Sequence, residues 1–128
     1  MYITHEFYYY KIKLIFQKNG GLMNISDVIK YFREENFLPA LKAETKEDVL
    51  EELINPLYRQ NVIRNKSVIL ETIKKRETLG STGIGFGVAI PHCRTLTVSD
   101  IQLVLGISKN GIDYNAIDDK KVSLFILI

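Results

Sequence analysis

The spacing of hydrophobic positions changes period along this chain. Val49, Leu50, Leu53, Ile54, Leu57 and Tyr58 recur as one face of a helix. Thr45-Lys46-Glu47-Asp48 stands just ahead of them in the form of a capping box and predicts where that helix starts. Pro56 falls in its last turn and predicts a kink or an early end, because proline lacks the N–H and crowds the preceding turn. A second helix is predicted over about Lys66 to Leu79. There Ile69 and Ile73 share a face, and Arg76 continues the stripe two turns from Ile69. An arginine on an inward stripe is costly unless something polar meets it. It either runs outward along its apolar stem, pairs with a carboxylate such as Glu77 or Asp100, or meets an anion. Asn24-Ile25-Ser26-Asp27, ahead of Val28, Ile29 and Phe32, predicts an earlier short helix ending before Phe37-Leu38-Pro39.

Beyond Leu79 the pattern turns to short apolar runs. Val88-Ala89-Ile90 reads as a strand stopped by Pro91, and Ile101 to Ile107 as a second. Val122 to Ile128, VSLFILI, is the continuous apolar run of a strand covered on both faces, preceded by a polar turn at Asp118-Asp119-Lys120-Lys121. Helices first and strands later predict an α/β or α+β domain with helices packed on a sheet. Nothing follows VSLFILI to cover it, and an exposed run of this kind invites aggregation. The expectation is therefore a sequence cut short at its C-terminus.

Composition narrows the classes. The 128 residues suit one domain, and 46% apolar with 25% charged residues excludes disorder, collagen-like repeats and coiled coils. Cys93 is the only cysteine, so no internal disulfide forms. The net charge of +2 resides in residues 1–22, which carry Lys11, Lys13 and Lys18 against Glu6; the remainder is neutral. A neutral body without a basic stripe argues against nucleic acid as a partner. Lys11 and Lys13 interrupt the first apolar stretch well short of a membrane span, and no small-residue cleavage site follows it. Residues 1–22 read as an N-terminal appendage, with the domain proper at 23–128.

The candidate chemistry lies in STGIGFGVAIPHCR, Ser81 to Arg94. A P-loop needs Lys and Ser/Thr after its last glycine, but Val88-Ala89 follow Gly87. A dinucleotide fingerprint needs G-x-G-x-x-G between strand and helix, but Gly83, Gly85 and Gly87 form G-x-G-x-G between helix and strand. What remains is either a slack connection or a loop whose N–H groups face an anion, helped by the hydroxyls of Ser81 and Thr82. His92 is the only histidine outside residues 1–22. With Cys93 alone beside it, it makes no zinc set. A Cys93–His92 nucleophilic pair is disfavoured because consecutive side chains on extended backbone point apart. On residue type it is either structural or the centre of a phosphoryl relay, the chemistry that needs one histidine. Neutral imidazole attacks a phosphoryl donor near neutral pH, and the resulting phosphoramidate remains a good donor. Arginine, hydroxyls and peptide N–H groups suit the charge stabilisation such transfer requires.

Arg76-Glu77, Leu79-Gly80-Ser81-Thr82-Gly83-Ile84-Gly85, then Gly87-Val88-Ala89-Ile90-Pro91-His92 and Arg94, resemble the signature of type-2 enzyme IIA (EIIA) domains of the bacterial phosphoenolpyruvate-dependent phosphotransferase system (PTS). This is the fructose/mannitol family, which includes nitrogen-regulatory EIIA proteins. The likeness runs from about Met23 to Ile128, taking in Lys46-Glu47, Leu50 to Leu53 and Ile112-Asp113-Tyr114 with Ala116-Ile117-Asp118. It implies a mixed sheet flanked by helices and a cytoplasmic phosphocarrier without metal or organic cofactor and without membrane insertion. It further implies that His92 accepts the phosphoryl group from phospho-HPr and passes it to an enzyme IIB domain, or signals through regulatory proteins. Arg76 then stabilises the phosphate, with Ser81, Thr82, Gly83, Gly85 and Gly87 as the phosphate-binding loop and Arg94 as a further candidate. The sequence departs from the family pattern at Phe86, where a small polar residue is common, and in residues 1–22. It also lacks a second histidine after His92, so an inactive truncated remnant is the third reading.

Overall fold

The computed structural model describes residues 30–128. The appendage at 1–22 and the start of the helix expected from Asn24 lie outside the described residues. Where that helix was expected to finish, Glu34–Asn36 form a single 3-10 turn.

Residues Arg33–Ile128 form one compact unit. Its elements run β1 (Phe37–Leu38), α1 (Lys46–Arg59), α2 (Lys66–Thr78), β2 (Gly83–Gly85), β3 (Val88–Ala89), β4 (Val104–Ile112) and β5 (Val122–Leu127). The strands make one mixed sheet in the order β1-β4-β5-β3-β2. β4 and β5 pair antiparallel, as do β2 and β3, whereas β1 with β4 and β3 with β5 are parallel. The class expected from the order of elements is the one found, and VSLFILI supplies the middle strand.

α1 starts where its capping box predicts, and α2 starts at the expected Lys66. Thr45 Oγ1 accepts the Asp48 N–H at 3.2 Å, and Asn65 Oδ1 accepts that of Val68 at 3.2 Å, each satisfying an N–H that has no partner within the helix. Pro56 does not end α1 early. It is buried within the helix, which continues to Arg59, and the Gln60 N–H still reaches the Pro56 carbonyl at 3.1 Å. One lost backbone bond is outweighed there by a buried stripe of Val49, Leu50, Leu53, Ile54 and Leu57. This stripe packs with Ile69 and Ile73 of α2 and with Val104, Ile112, Val122, Phe125 and Leu127 of the sheet.

Three boundaries differ from the expectation. Phe37-Leu38, given no element from the sequence beyond following a helix, is an edge strand pairing with Leu105 and Gly106. β4 begins at Val104 instead of Ile101 and runs on to Ile112, carrying the exposed Lys109 and Asn110 past an irregularity in its pairing with β5. The largest difference is the glycine segment. It is a β-hairpin, with Phe86 and Gly87 at its tip at φ of 57° and 75°. Two positive torsions in succession match the natural strand twist at a tight hairpin, and only glycine adopts them without cost.

Gly83 is glycine for a different reason. A Cβ there would lie 2.8 Å from both Cα and Cβ of Ala116. Gly83→Ala is therefore expected to destabilise the domain by about 1–3 kcal/mol through overpacking. The corresponding fall in urea midpoint, with an unchanged slope, is the measurement that checks it.

Candidate functional site

His92 lies three residues beyond the end of β3. Its neighbours are pinned to the end of β5, where the Ile128 N–H donates to the Pro91 carbonyl at 3.1 Å and the Cys93 N–H to the Ile128 carbonyl at 3.2 Å. The half-buried ring leaves this clamp with Nδ1 at 3.0 Å from the carbonyl of Ile90. A carbonyl only accepts, so Nδ1 carries the proton and Nε2 bears the lone pair. Arg76 requires the same tautomer independently, since its Nε–H donates to His92 Nε2 at 3.3 Å and guanidinium has no acceptor.

Arg76 sits in the last turn of α2, and its Nη1 also donates to the Gly80 carbonyl at 2.9 Å. Of the partners considered from the sequence, the carboxylates are not the ones found: the guanidinium meets an imidazole nitrogen and a helix-end carbonyl. Glu77 turns the other way. It is 8% exposed, and its Oε2 is 2.9 Å from Lys46 Nζ, at the start of α1, and 3.1 Å from the N–H of Thr82. Its Oε1 accepts from the Thr82 hydroxyl and from Tyr114 Oη, the latter at 2.9 Å. Lys46 also reaches the Tyr114 carbonyl at 3.2 Å and lies 4.3 Å from its ring centroid. Burial, followed by the Glu77 charge, pushes the Tyr114 phenol upward, so it remains a hydrogen-bond donor across the accessible pH range.

The hairpin residues do not gather as the loop reading expected. Thr82 is 2% exposed, with both its N–H and its hydroxyl directed at Glu77. Gly83 N–H donates to Ser81 Oγ at 3.1 Å, and that hydroxyl reaches the Tyr114 carbonyl at 3.3 Å. These groups build the base of the hairpin, because buried donors must be satisfied where the chain turns. Gly85 and Gly87 shape its tip, and Arg94 stands exposed two residues beyond His92. The structure thus brings His92 and Arg76 together and gives Thr82 and Gly83 supporting positions. Cys93 is half-buried, and burial pushes its thiol upward.

Sequence reasoning missed the Lys46–Glu77–Tyr114 cluster. A signal existed: Glu77 follows Ile69 and Ile73 at successive intervals of four, which places it on the inward stripe more squarely than Arg76. Among the described residues no group of His, Cys, Asp or Glu could hold a metal ion, and no helix is long and apolar enough to cross a membrane.

The exposed Phe86 is held at its positive torsion by Asp118, whose Oδ2 accepts the Phe86 N–H at 3.1 Å while Oδ1 accepts that of Lys120 at 3.1 Å. The Lys120 bond, followed by that from Phe86, holds the Asp118 carboxyl below its ordinary range. A depressed carboxyl stabilises the fold above the unfolded value and loses that contribution as pH falls through the folded one. The Phe86 amide resonance is accordingly expected to shift on acidification with a midpoint below about 3.9, the ordinary aspartate value; an NMR titration checks it.

Comparison with known proteins gives a consistent result. Residues 30–128 match the family model described as phosphoenolpyruvate-dependent sugar phosphotransferase system, EIIA 2. The chain is 34% identical over 88 residues to the PTS system fructose-specific EIIABC component of Bacillus subtilis, covering 69% of this chain and 14% of that protein. It is 34% identical over 84 residues to the PTS system fructose-specific EIIA component of Haloferax volcanii, covering 66% of this chain and 54% of that protein. The chain therefore spans about half, or much less, of these relatives. Among solved structures, nitrogen regulatory protein IIA-Ntr from Neisseria meningitidis superimposes with a TM-score of 0.72 at 28% identity, over 78% of this chain and 68% of that one.

Proposed function

The chain belongs to the type-2 EIIA family of the phosphoenolpyruvate-dependent sugar phosphotransferase system, and from that membership we propose that it is a cytoplasmic phosphocarrier domain with His92 as phosphoacceptor. The observation that supports this reading best is the tautomer. Nδ1 is committed to the Ile90 carbonyl, and Nε2, beside the Arg76 guanidinium, holds the lone pair.

Phospho-HPr is the proposed donor. The Nε2 lone pair attacks phosphorus, an Nε2–P bond forms, and the donor's P–N bond breaks with its electron pair returning to the donor imidazole. No proton has to move, because Nδ1–H keeps its carbonyl partner as the ring gains positive charge. Arg76 yields Nε2 to the phosphoryl group and directs its N–H donors at the oxygens, whose charge is the main burden of phosphoryl transfer. The same steps in reverse, toward an enzyme IIB domain, complete the relay. Ser81, Thr82 and Gly83 hold the base of the hairpin whose second strand leads to His92, Gly85 and Gly87 shape its turn, and Arg94 contributes positive charge two residues beyond His92.

A regulatory output uses the same phosphohistidine with a different receiver, and the likeness to a nitrogen regulatory protein favours keeping that reading beside sugar transport. Incubation with phosphoenolpyruvate, enzyme I and HPr tests the common step. The expected product carries one phosphoryl group, labile to acid and stable to alkali, mapped to the peptide containing His92. A chain that stays unlabelled under conditions that label HPr overturns the proposal.

A further inference from the structure

The hydrogen bonds around His92 close into a ring that passes through the buried cluster. His92 Nδ1–H donates to the Ile90 carbonyl at 3.0 Å. The Ile90 N–H donates to the Thr82 carbonyl at 3.0 Å, the Thr82 N–H donates to Glu77 Oε2 at 3.1 Å, and Glu77 is bonded through its peptide to Arg76. Arg76 Nε–H returns to His92 Nε2 at 3.3 Å. Consecutive residues leave a helix about 100° apart. Holding Glu77 inward therefore sets the direction in which Arg76 leaves α2.

We infer that Glu77, with Thr82, is the positioning residue of this site, fixing both the tautomer of His92 and the placement of Arg76. Three parts of the molecule converge on its carboxylate: Lys46 from the first turn of α1, Thr82 from the hairpin base and Tyr114 from the connection between β4 and β5. A buried carboxylate must have its lone-pair sites filled whatever its role, and what points to positioning is where its donors come from. Here the acceptor takes four, and the two from Thr82 fix the turn between α2 and β2. That turn includes Gly80, whose carbonyl anchors Arg76 Nη1. The same turn fixes the peptide that receives Ile90, so a displaced Thr82 disturbs both sides of the imidazole together.

The inference rests on the phosphocarrier reading only for its kinetic consequence; the tautomer can be read without any phosphoryl chemistry. The test compares Glu77→Gln, Thr82→Val and Thr82→Ser with the parent chain. Valine puts a methyl against Glu77 Oε1 and forces the carboxylate away, whereas serine keeps the hydroxyl. In the unphosphorylated protein, at a pH high enough to keep the ring neutral, nitrogen NMR of the parent is expected to show one tautomer, with Nδ1 protonated. Thr82→Val and Glu77→Gln are expected to show exchange between both tautomers, and Thr82→Ser to restore the single one. In transfer from phospho-HPr, the first two are expected to lose about 10- to 100-fold in kcat, the scale of an ångström-sized misplacement, with KM for the donor changed little. Where Glu77→Gln does not fold, the two substitutions at Thr82 decide the matter. A folded Thr82→Val protein with the parent tautomer and parent kcat overturns the inference. A parent chain that shows the single tautomer but takes no phosphoryl group overturns the phosphocarrier proposal and leaves the ring standing.

Discussion

Replacing His92 with alanine is expected to abolish phosphoryl acceptance altogether while the domain stays folded. The loss is complete because no described side chain can substitute as nucleophile at that place. Cys93 is adjacent, but it packs against the core cluster, and burial pushes its thiol toward the protonated, unreactive form. The fold survives because the bonds that hold this segment are made by the backbone of Pro91 and Cys93 with Ile128, and alanine leaves them in place. The half-buried imidazole is absent from the cluster of α1, α2 and sheet residues that forms the core. Two measurements are needed together: the extent of labelling from phospho-HPr, expected to fall to background, and the urea midpoint, expected to stay close to that of the parent. Labelling that persists in His92→Ala would move the acceptor elsewhere.

How much of this arrangement the sequence discloses depends on whether the governing interactions are local. The helices were legible because their determinants lie within a few residues: the capping box at Thr45 and the spacing of buried side chains at three and four residues. Pro56 does not end α1 early, because the burial of the whole helix face outweighs the local loss at proline. The hairpin was not legible. Alternating glycines look like slack when the torsions at Phe86 and Gly87 and the approach of Ala116 to Gly83 are unknown, and Ala116 is far away in sequence. Among the alternatives read for Arg76 the carboxylate is not the partner found, since Glu77 turns instead to Lys46 and Tyr114. On residue type alone His92 stayed open between structure and chemistry. Its likeness to the EIIA signature raised the chemical reading, and the geometry added what no motif contains, the tautomer.

Arg76→Ala is expected to slow phosphoryl transfer by about 10²–10³-fold, the usual consequence of removing one preorganised donor from a developing oxyanion. The argument is electrostatic before it is steric. Arg76 contributes little to the core, since the buried positions of α2 are Ile69, Ile73 and Glu77, and the guanidinium bonds to His92 and the Gly80 carbonyl. Alanine also favours the helical backbone, so the last turn of α2 persists. Arg76→Lys is expected to recover little of the rate. An ammonium keeps the charge but cannot hold the Gly80 carbonyl through one nitrogen while presenting a second in fixed geometry to the group on Nε2. The pair separates charge from geometry, and single-turnover transfer from phospho-HPr at saturating donor is the measurement. If alanine slowed that step by only a few-fold, the guanidinium would be a structural cap on α2. If lysine restored it fully, positive charge alone would be sufficient, and the fork between Gly80 and His92 would have no part in the transfer.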